Sequence, residues 1–375
     1  GYQALSNTNS NDNTAVGYQS LLHTTSGIDN TAVGSSALVF ATAASNNTAV
    51  GKTALYANTS GSGNTGLGKD ALVANTTGSD NVAVGHDTLQ ANTAGARNTA
   101  VGALALDGNI DTNNNTAVGY AALSGAVTGG QNAALGANAL LSNTSGSSNT
   151  ALGQGAMSQN TTGQNNTAVG HSALVSGGGG SANVAVGKDA LRNNNAGSNV
   201  AVGLSALYTN TNGEKNVAVG RETLRNATGN FNVAVGYHAG YSNTTGSIVA
   251  IGYEALKANT TGSGTAVGKA ALDANVSGLS NTGIGNGALS SNTTAHYNTA
   301  VGNSCLTANT TGTQNTAVGH DALNDNTNAD YNVAVGSNAL AKVTTSDNNT
   351  AVGSAALLNN TAANNSAFGR SALES

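Results

Sequence analysis

The chain has little charge, few aromatic residues, no proline, no tryptophan and a single cysteine. Asp, Glu, Lys and Arg make up 8 % of its 375 residues, against about a quarter in an average globular domain. So little charge also argues against disorder, because disordered chains usually carry a high net charge. The net charge of −5 does not favour nucleic acid or an anionic membrane as partner. One cysteine, Cys305, cannot close an internal disulfide, so cysteine usage leaves the redox compartment open. No apolar run approaches the roughly 18 residues of a membrane span, and no signal peptide is visible. The chain starts at Gly1 rather than Met, as a mature, processed or excised segment would.

Gly, Asn, Thr, Ala and Ser dominate instead, and they recur with a fixed period. The Gly that follows an apolar residue marks each repeat, as at Gly17, Gly34, Gly51 and on to Gly353 and Gly369. Sixteen of the 22 intervals between such anchors are 17 residues and six are 16. The consensus is N-T/V-A-V-G-x-x-A-L-x-x-N-T-T-G-x-x. Leu stands four residues after the anchor in 21 of 23 cases, Met157 and Gly240 being the exceptions. Asn stands four before it in 20 of 22 cases, broken by Ile248 and Gly264. No insertion interrupts the count, so residues 1–375 are expected to form one continuous array without a domain boundary.

Helix is excluded by the recurrent Gly and Asn and by the absence of a 3.6-residue apolar stripe. The expected fold is all-β: a parallel β-solenoid, or β-roll, of about 22 coils with a 16–17-residue period. T/V-A-V reads as one strand and A-L-x as another, with the N-T-T-G segment as a loop that absorbs the deletions. Coils stacked about 4.8 Å apart would place each residue type above itself and give a rod on the order of 105 Å long. The Asn before each strand would then form an amide ladder. Within T/V-A-V the first and third residues share one face and the small middle residue takes the other. Both faces read as buried, and a 17-residue coil can fill only one of them from inside. Neighbouring chains are the expected cover for the other; a monomer with Ala and Leu columns closing its own core is the alternative. The first and last repeats keep the consensus, which suggests continuation past both ends or end-to-end stacking.

The unit N-T/V-A-V-G-x-x-A resembles the head repeats of trimeric autotransporter adhesins, the YadA-like family, and Asn365-Ser366-Ala367-Phe368-Gly369 carries that family's Ser as well. It is also similar to NTAVG repeats of tail-fibre-like proteins that end in an endosialidase-type chaperone domain. The resemblance covers nearly the whole chain, although the period here is longer and Leu after the turn is nearly fixed. It implies left-handed winding, a homotrimer of side-by-side chains, and an extracellular, cell-surface or virion location.

The apparent motifs dissolve into the repeat. Gly51-Lys52-Thr53 looks like the end of a phosphate-binding loop, but Asn46 replaces the first Gly and no helix follows. The related Gly63…Gly68-Lys69 has Asp70 where Ser or Thr is needed. Asp107-Gly108-Asn109-Ile110-Asp111 alternates oxygen ligands as a calcium loop does, but Thr112 and Val118 stand where Gly and Glu are required. His86 and His171 are five coils apart, too far for bonds of about 2 Å to one metal. Cys305 replaces a small buried Ala and reads as an inert thiol. No metal, cofactor or catalytic residue is therefore expected, and the chain reads as a non-enzyme. Sequons such as Asn75-Thr76-Thr77 and Asn259-Thr260-Thr261 leave N-glycosylation open.

The position after each anchor carries the candidate binding surface: Tyr18, Lys52, Lys69, His86, Tyr120, His171, Lys188, Arg221, Tyr237, Tyr253, Lys269 and His320. This column is expected to be an exposed ridge, either simply solvated or contacting a host glycan or protein. The expected function is a structural or adhesive fibre segment, the shaft or head of an extracellular adhesin, tail fibre or surface filament, whose partner is itself. The alternative is a solenoid whose repeated surface binds glycan or ice. Ice is disfavoured by Thr exchanging with Val and reading as partly buried.

Overall fold

The computed structural model describes residues 1–6, 10–176 and 178–374. It is all-β, with no helix among the described residues. Two units, Gly1–Asp189 and Ala190–Ser375, carry eleven short strands each. In the first unit the strands run from Thr14–Val16 to Val184–Val186, and in the second from Val200–Val202 to Ser366–Phe368.

Each unit is a parallel β-solenoid with one strand per coil. T/V-A-V forms it, as its β-branched residues favour, and like pairs with like: Thr14, Ala15 and Val16 lie beside Thr31, Ala32 and Val33. A 16-residue interval leaves this register intact, since Val217, Ala218 and Val219 pair with Val233, Ala234 and Val235. The missing residue is therefore taken out of the loop, as the sequence pattern implies.

The expected second strand does not exist. The Leu four after each anchor has φ between +49° and +54°, the left-handed region, so A-L-x is turn-like rather than extended. It still bonds from coil to coil, as Leu55 N–H does to the Ala71 carbonyl at 2.9 Å. A left-handed non-glycine residue costs roughly 1–2 kcal/mol. Burying Leu returns about 1.5–3 kcal/mol, and every Leu of the column from Leu21 to Leu357 is at most 2 % exposed. Burial outweighs the strain, and that is why the position is nearly always Leu.

Only one face of each strand is buried. The middle Ala points inward, as Ala32, Ala83 and Ala234 do at 0 % exposure, and packs with the Leu column. The flanking residues point outward and stay partly exposed, reaching 45 % at Leu67, 46 % at Leu135 and 38 % at Val235. The expectation that both faces are buried is thus corrected within the chain: small residues line the core, and the bulkier columns form its outer wall.

The Asn ladder is present. Asn81 donates its amide to the Asn64 Oδ1 at 3.1 Å and to the Gly95 carbonyl at 2.8 Å. Its own Oδ1 accepts from the backbone and side-chain amides of Asn98. A second ladder lies where the sequence suggested only loop. The Asn seven after the anchor is also fully buried: Asn75 donates to Asn58 Oδ1 and to the Gly78 carbonyl, both at 2.9 Å. The Gly78 carbonyl also accepts from Asn64, at 2.8 Å, so the two ladders meet on one oxygen and tie strand to loop across the coil. Burying a polar group unpaired costs about 1–3 kcal/mol, and this arrangement avoids that for most ladder amides, with Asn160 and Asn326 Oδ1 and Asn332 Nδ2 left unpaired.

This geometry closes the question of the sequons. Asn75 and Asn259 are 0 % exposed and their amides are engaged, so a glycan on either is incompatible with the folded coil. Asn75→Ala is expected to destabilise its coil by about 1–3 kcal/mol, because Asn92 loses its acceptor and the Gly78 carbonyl one donor. Faster amide hydrogen exchange confined to the coils around Asn75 is the readout.

Candidate functional site

The turn after each anchor Gly sends the next side chain out of the core. The twelve ridge residues are all exposed except Tyr237, which is half-buried. The residue after each of them has positive φ, from Gln19 to Asp321.

Several charges on this wall pair at short range. In the first unit the Lys69 ammonium lies 2.9 Å from Asp70, and His86 Nδ1 lies 2.9 Å from Asp87. Lys69 Nζ also approaches His86 Nε2 at 3.4 Å. The Asp70 carboxyl is held below its usual range, first by the hydrogen bond from Lys69 and then by one from the Thr53 hydroxyl.

The second unit holds the densest cluster. Arg221 lies over the Tyr237 ring at 5.8 Å, and Tyr237 stacks on Tyr253 at 5.5 Å, so three ridge residues form one ladder. Beside it His238 bonds Glu222 at 2.8 Å and faces Glu254 at 3.7 Å. That bond from His238 is the main reason the Glu222 carboxyl sits below its ordinary range. Lys257, 2.7 Å away, does the same for Glu254. A third column, five residues after the anchor, was not singled out from the sequence. There Arg225 lies between Tyr208 and Tyr241, 5.0 Å and 6.0 Å from their rings. The signal was available: the same spacing that defines the ridge puts Tyr208, Arg225, Tyr241 and Lys257 in one register.

The other motifs are ordinary coil. Thr53 sits in a left-handed turn and bonds Asp70. Asn109, inside the calcium-like segment, is 0 % exposed, belongs to the second Asn ladder, and accepts a bond from Thr112. Burial pushes up the carboxyl of neighbouring Asp107. Cys305 is fully buried, bonds the Gly319 carbonyl, and its thiol is pushed up by burial, which suits a packed rather than a reactive sulfur.

No family model matches the chain, and no curated protein matches it. The fold defines the class: a β-solenoid repeat protein, with one parallel strand per coil and side-chain columns in register.

Proposed function

We propose that the chain is a structural and adhesive fibre segment that works as a homotrimer, in an extracellular adhesin, tail fibre or surface filament. One observation carries the reading: the outward strand columns are uncharged, regular and uncovered, with Val, Leu, Ile or Phe throughout one and mostly Thr or Val in the other. From Thr14 and Val16 to Ser366 and Phe368, no outward strand residue carries a charge. Eleven strands at about 4.8 Å, with two columns about 7 Å apart, make a strip of about 370 Å² in each unit. That lies within the 300–600 Å² of the largest patch on a typical monomer. It is somewhat under half of the roughly 800 Å² each partner gives to a stable interface, so the strips of both units together approach that area. Copies of the same chain offer a matching strip with the same repeat. The ridge then remains outside for multivalent contact, in which many weak sites add through avidity.

The test is mass in solution. A species of about three times 36.3 kDa is expected. Val50→Lys with Val118→Lys, which leaves the core untouched, is expected to dissociate it. A wild-type monomer at native concentration would remove the proposal. A second reading, ligand binding, is favoured by the outward exposure of Thr48, Thr116 and Thr150 and of the ridge. It predicts ice-recrystallisation inhibition by the monomer, or glycan-array binding lost when the ridge Tyr, Lys and Arg become Ser.

A further inference from the structure

Stacking identical coils turns any acidic residue that recurs in consecutive repeats into a pair of carboxylates about one coil spacing apart. This happens with Asp70 and Asp87, each two residues after its anchor. His86 stands next to Asp87 in sequence and directly above Lys69 in the ridge. Ligand atoms of Asp70, His86 and Asp87 all lie within 4.8 Å of one another. His86 Nδ1 and the Asp87 carboxylate are 2.9 Å apart, and a small opening of this pair reaches the roughly 3.3 Å between adjacent ligands of a tetrahedral ion with bonds of about 2.0–2.1 Å. Asp70 must close the remaining gap within that 4.8 Å, which requires it to give up its ion pair with Lys69. The Thr53 hydroxyl bonded to Asp70 orients the carboxylate as an outer-shell partner does.

We infer that Asp70, His86 and Asp87 form a binding site for a borderline divalent transition-metal ion such as Zn²⁺, in which the Lys69 ammonium is a resident competitor. One imidazole and two carboxylates suit such an ion better than Ca²⁺ or Mg²⁺, which take oxygen ligands only. Lys69 competes with the ion for Asp70, 2.9 Å from its Nζ, while its approach to His86, at 3.4 Å, is to Nε2 and leaves the Nδ1 side beside Asp87 to the metal. Its side chain is about half exposed, at 52 %, and can swing into solvent when a metal enters. The bound ion would tie two consecutive coils together.

The repeat supplies its own control. His320 and Asp321 make the same pair at 3.1 Å, but Ser304 and Asn338 occupy the carboxylate position on the coils either side. His238 has a carboxylate on each side, but they face opposite nitrogens and cannot close on one ion.

The experiment is calorimetric titration of the full chain with Zn²⁺, repeated with Co²⁺ to read ligand-field bands in the visible spectrum. One stoichiometric site is expected. His86→Gln and Asp70→Asn should each weaken it at least tenfold, Lys69→Gln should tighten it several-fold, and His320→Gln should leave it unchanged. All four residues are on the outer wall, so circular dichroism should confirm an unaltered fold in every variant. Equal binding by wild type and His86→Gln, or no tightening in Lys69→Gln, overturns the site.

Discussion

Gly153→Ala is expected to open the coils on either side of it, at a cost of at least about 3 kcal/mol. Two independent causes add. The anchor has φ of +137°, a conformation open in practice only to glycine. A Cβ there would also lie 2.5 Å from the carbonyl oxygen of Gly170 and 2.6 Å from its carbonyl carbon, both backbone atoms of the next coil. Neither can move without breaking the bond from Gly170 N–H to the Leu152 carbonyl that stacks these coils. The informative control lies two residues on. Gly155 also has positive φ, +65°, but a Cβ there meets only the Ser172 hydroxyl, at 3.9 Å. That is the left-handed region which Asp70, Asn138 and His238 already occupy at the same place in other coils. Gly155→Asn is therefore expected to change stability by no more than about 0.5 kcal/mol. Native-state hydrogen exchange separates the two, because in a repeat array the damage is local and one global unfolding midpoint is poorly defined. Equal protection in the two variants would refute the stacking argument.

The contrast also shows which parts of the fold were legible in the sequence. Period, strand position, register and the first Asn ladder follow from residues that recur at fixed spacing, because stacking converts spacing directly into contact. Backbone conformation does not follow in that way. Leu at φ near +50° runs against its own preference, and only the burial that the closed coil provides makes it stable, so A-L-x reads as a strand until the coil is seen. The second ladder was hidden for a similar reason. Asn, Thr and Gly in N-T-T-G are the residues of an exposed turn, and nothing local says that the Asn points inward while the Thr hydroxyl bonds along the axis, as Thr76 does to the Thr93 carbonyl at 3.0 Å. The ridge was legible as a column, but its pairings were not. Which neighbours touch depends on residues one coil away that differ from repeat to repeat, as at Arg221, Tyr237 and Tyr253.

Two departures from the consensus that look unrelated in the sequence turn out to be neighbours. Gly240 replaces the core Leu of its coil, and Ile248 replaces the Asn of the first ladder. A Cβ on Gly240 would meet Ile248 Cδ1 at 2.8 Å and Leu224 Cδ2 at 2.9 Å. Ile248, 2 % exposed, therefore fills the space that the missing Leu leaves. It keeps its backbone tie to the ladder through its N–H and Asn232 Oδ1 at 3.1 Å, while Asn243 takes the same oxygen from the second ladder at 3.0 Å. Each single reversion should fail for a different reason. Gly240→Leu overfills the core, which costs about 1–3 kcal/mol. Ile248→Asn removes a buried Ile and leaves a hole beside Gly240, at about 2–5 kcal/mol. Together they restore the consensus in both positions: Leu refills the core, and Asn finds Asn232 Oδ1 below it and the Gly262 carbonyl across the coil, where Asn259 already donates at 3.0 Å. The double variant should be more stable than the sum of the singles by about 1–3 kcal/mol. Exchange protection of Val249–Ile251 in the four proteins of the cycle measures it. Strict additivity would mean that the two substitutions are independent accidents rather than one packing solution written in two places.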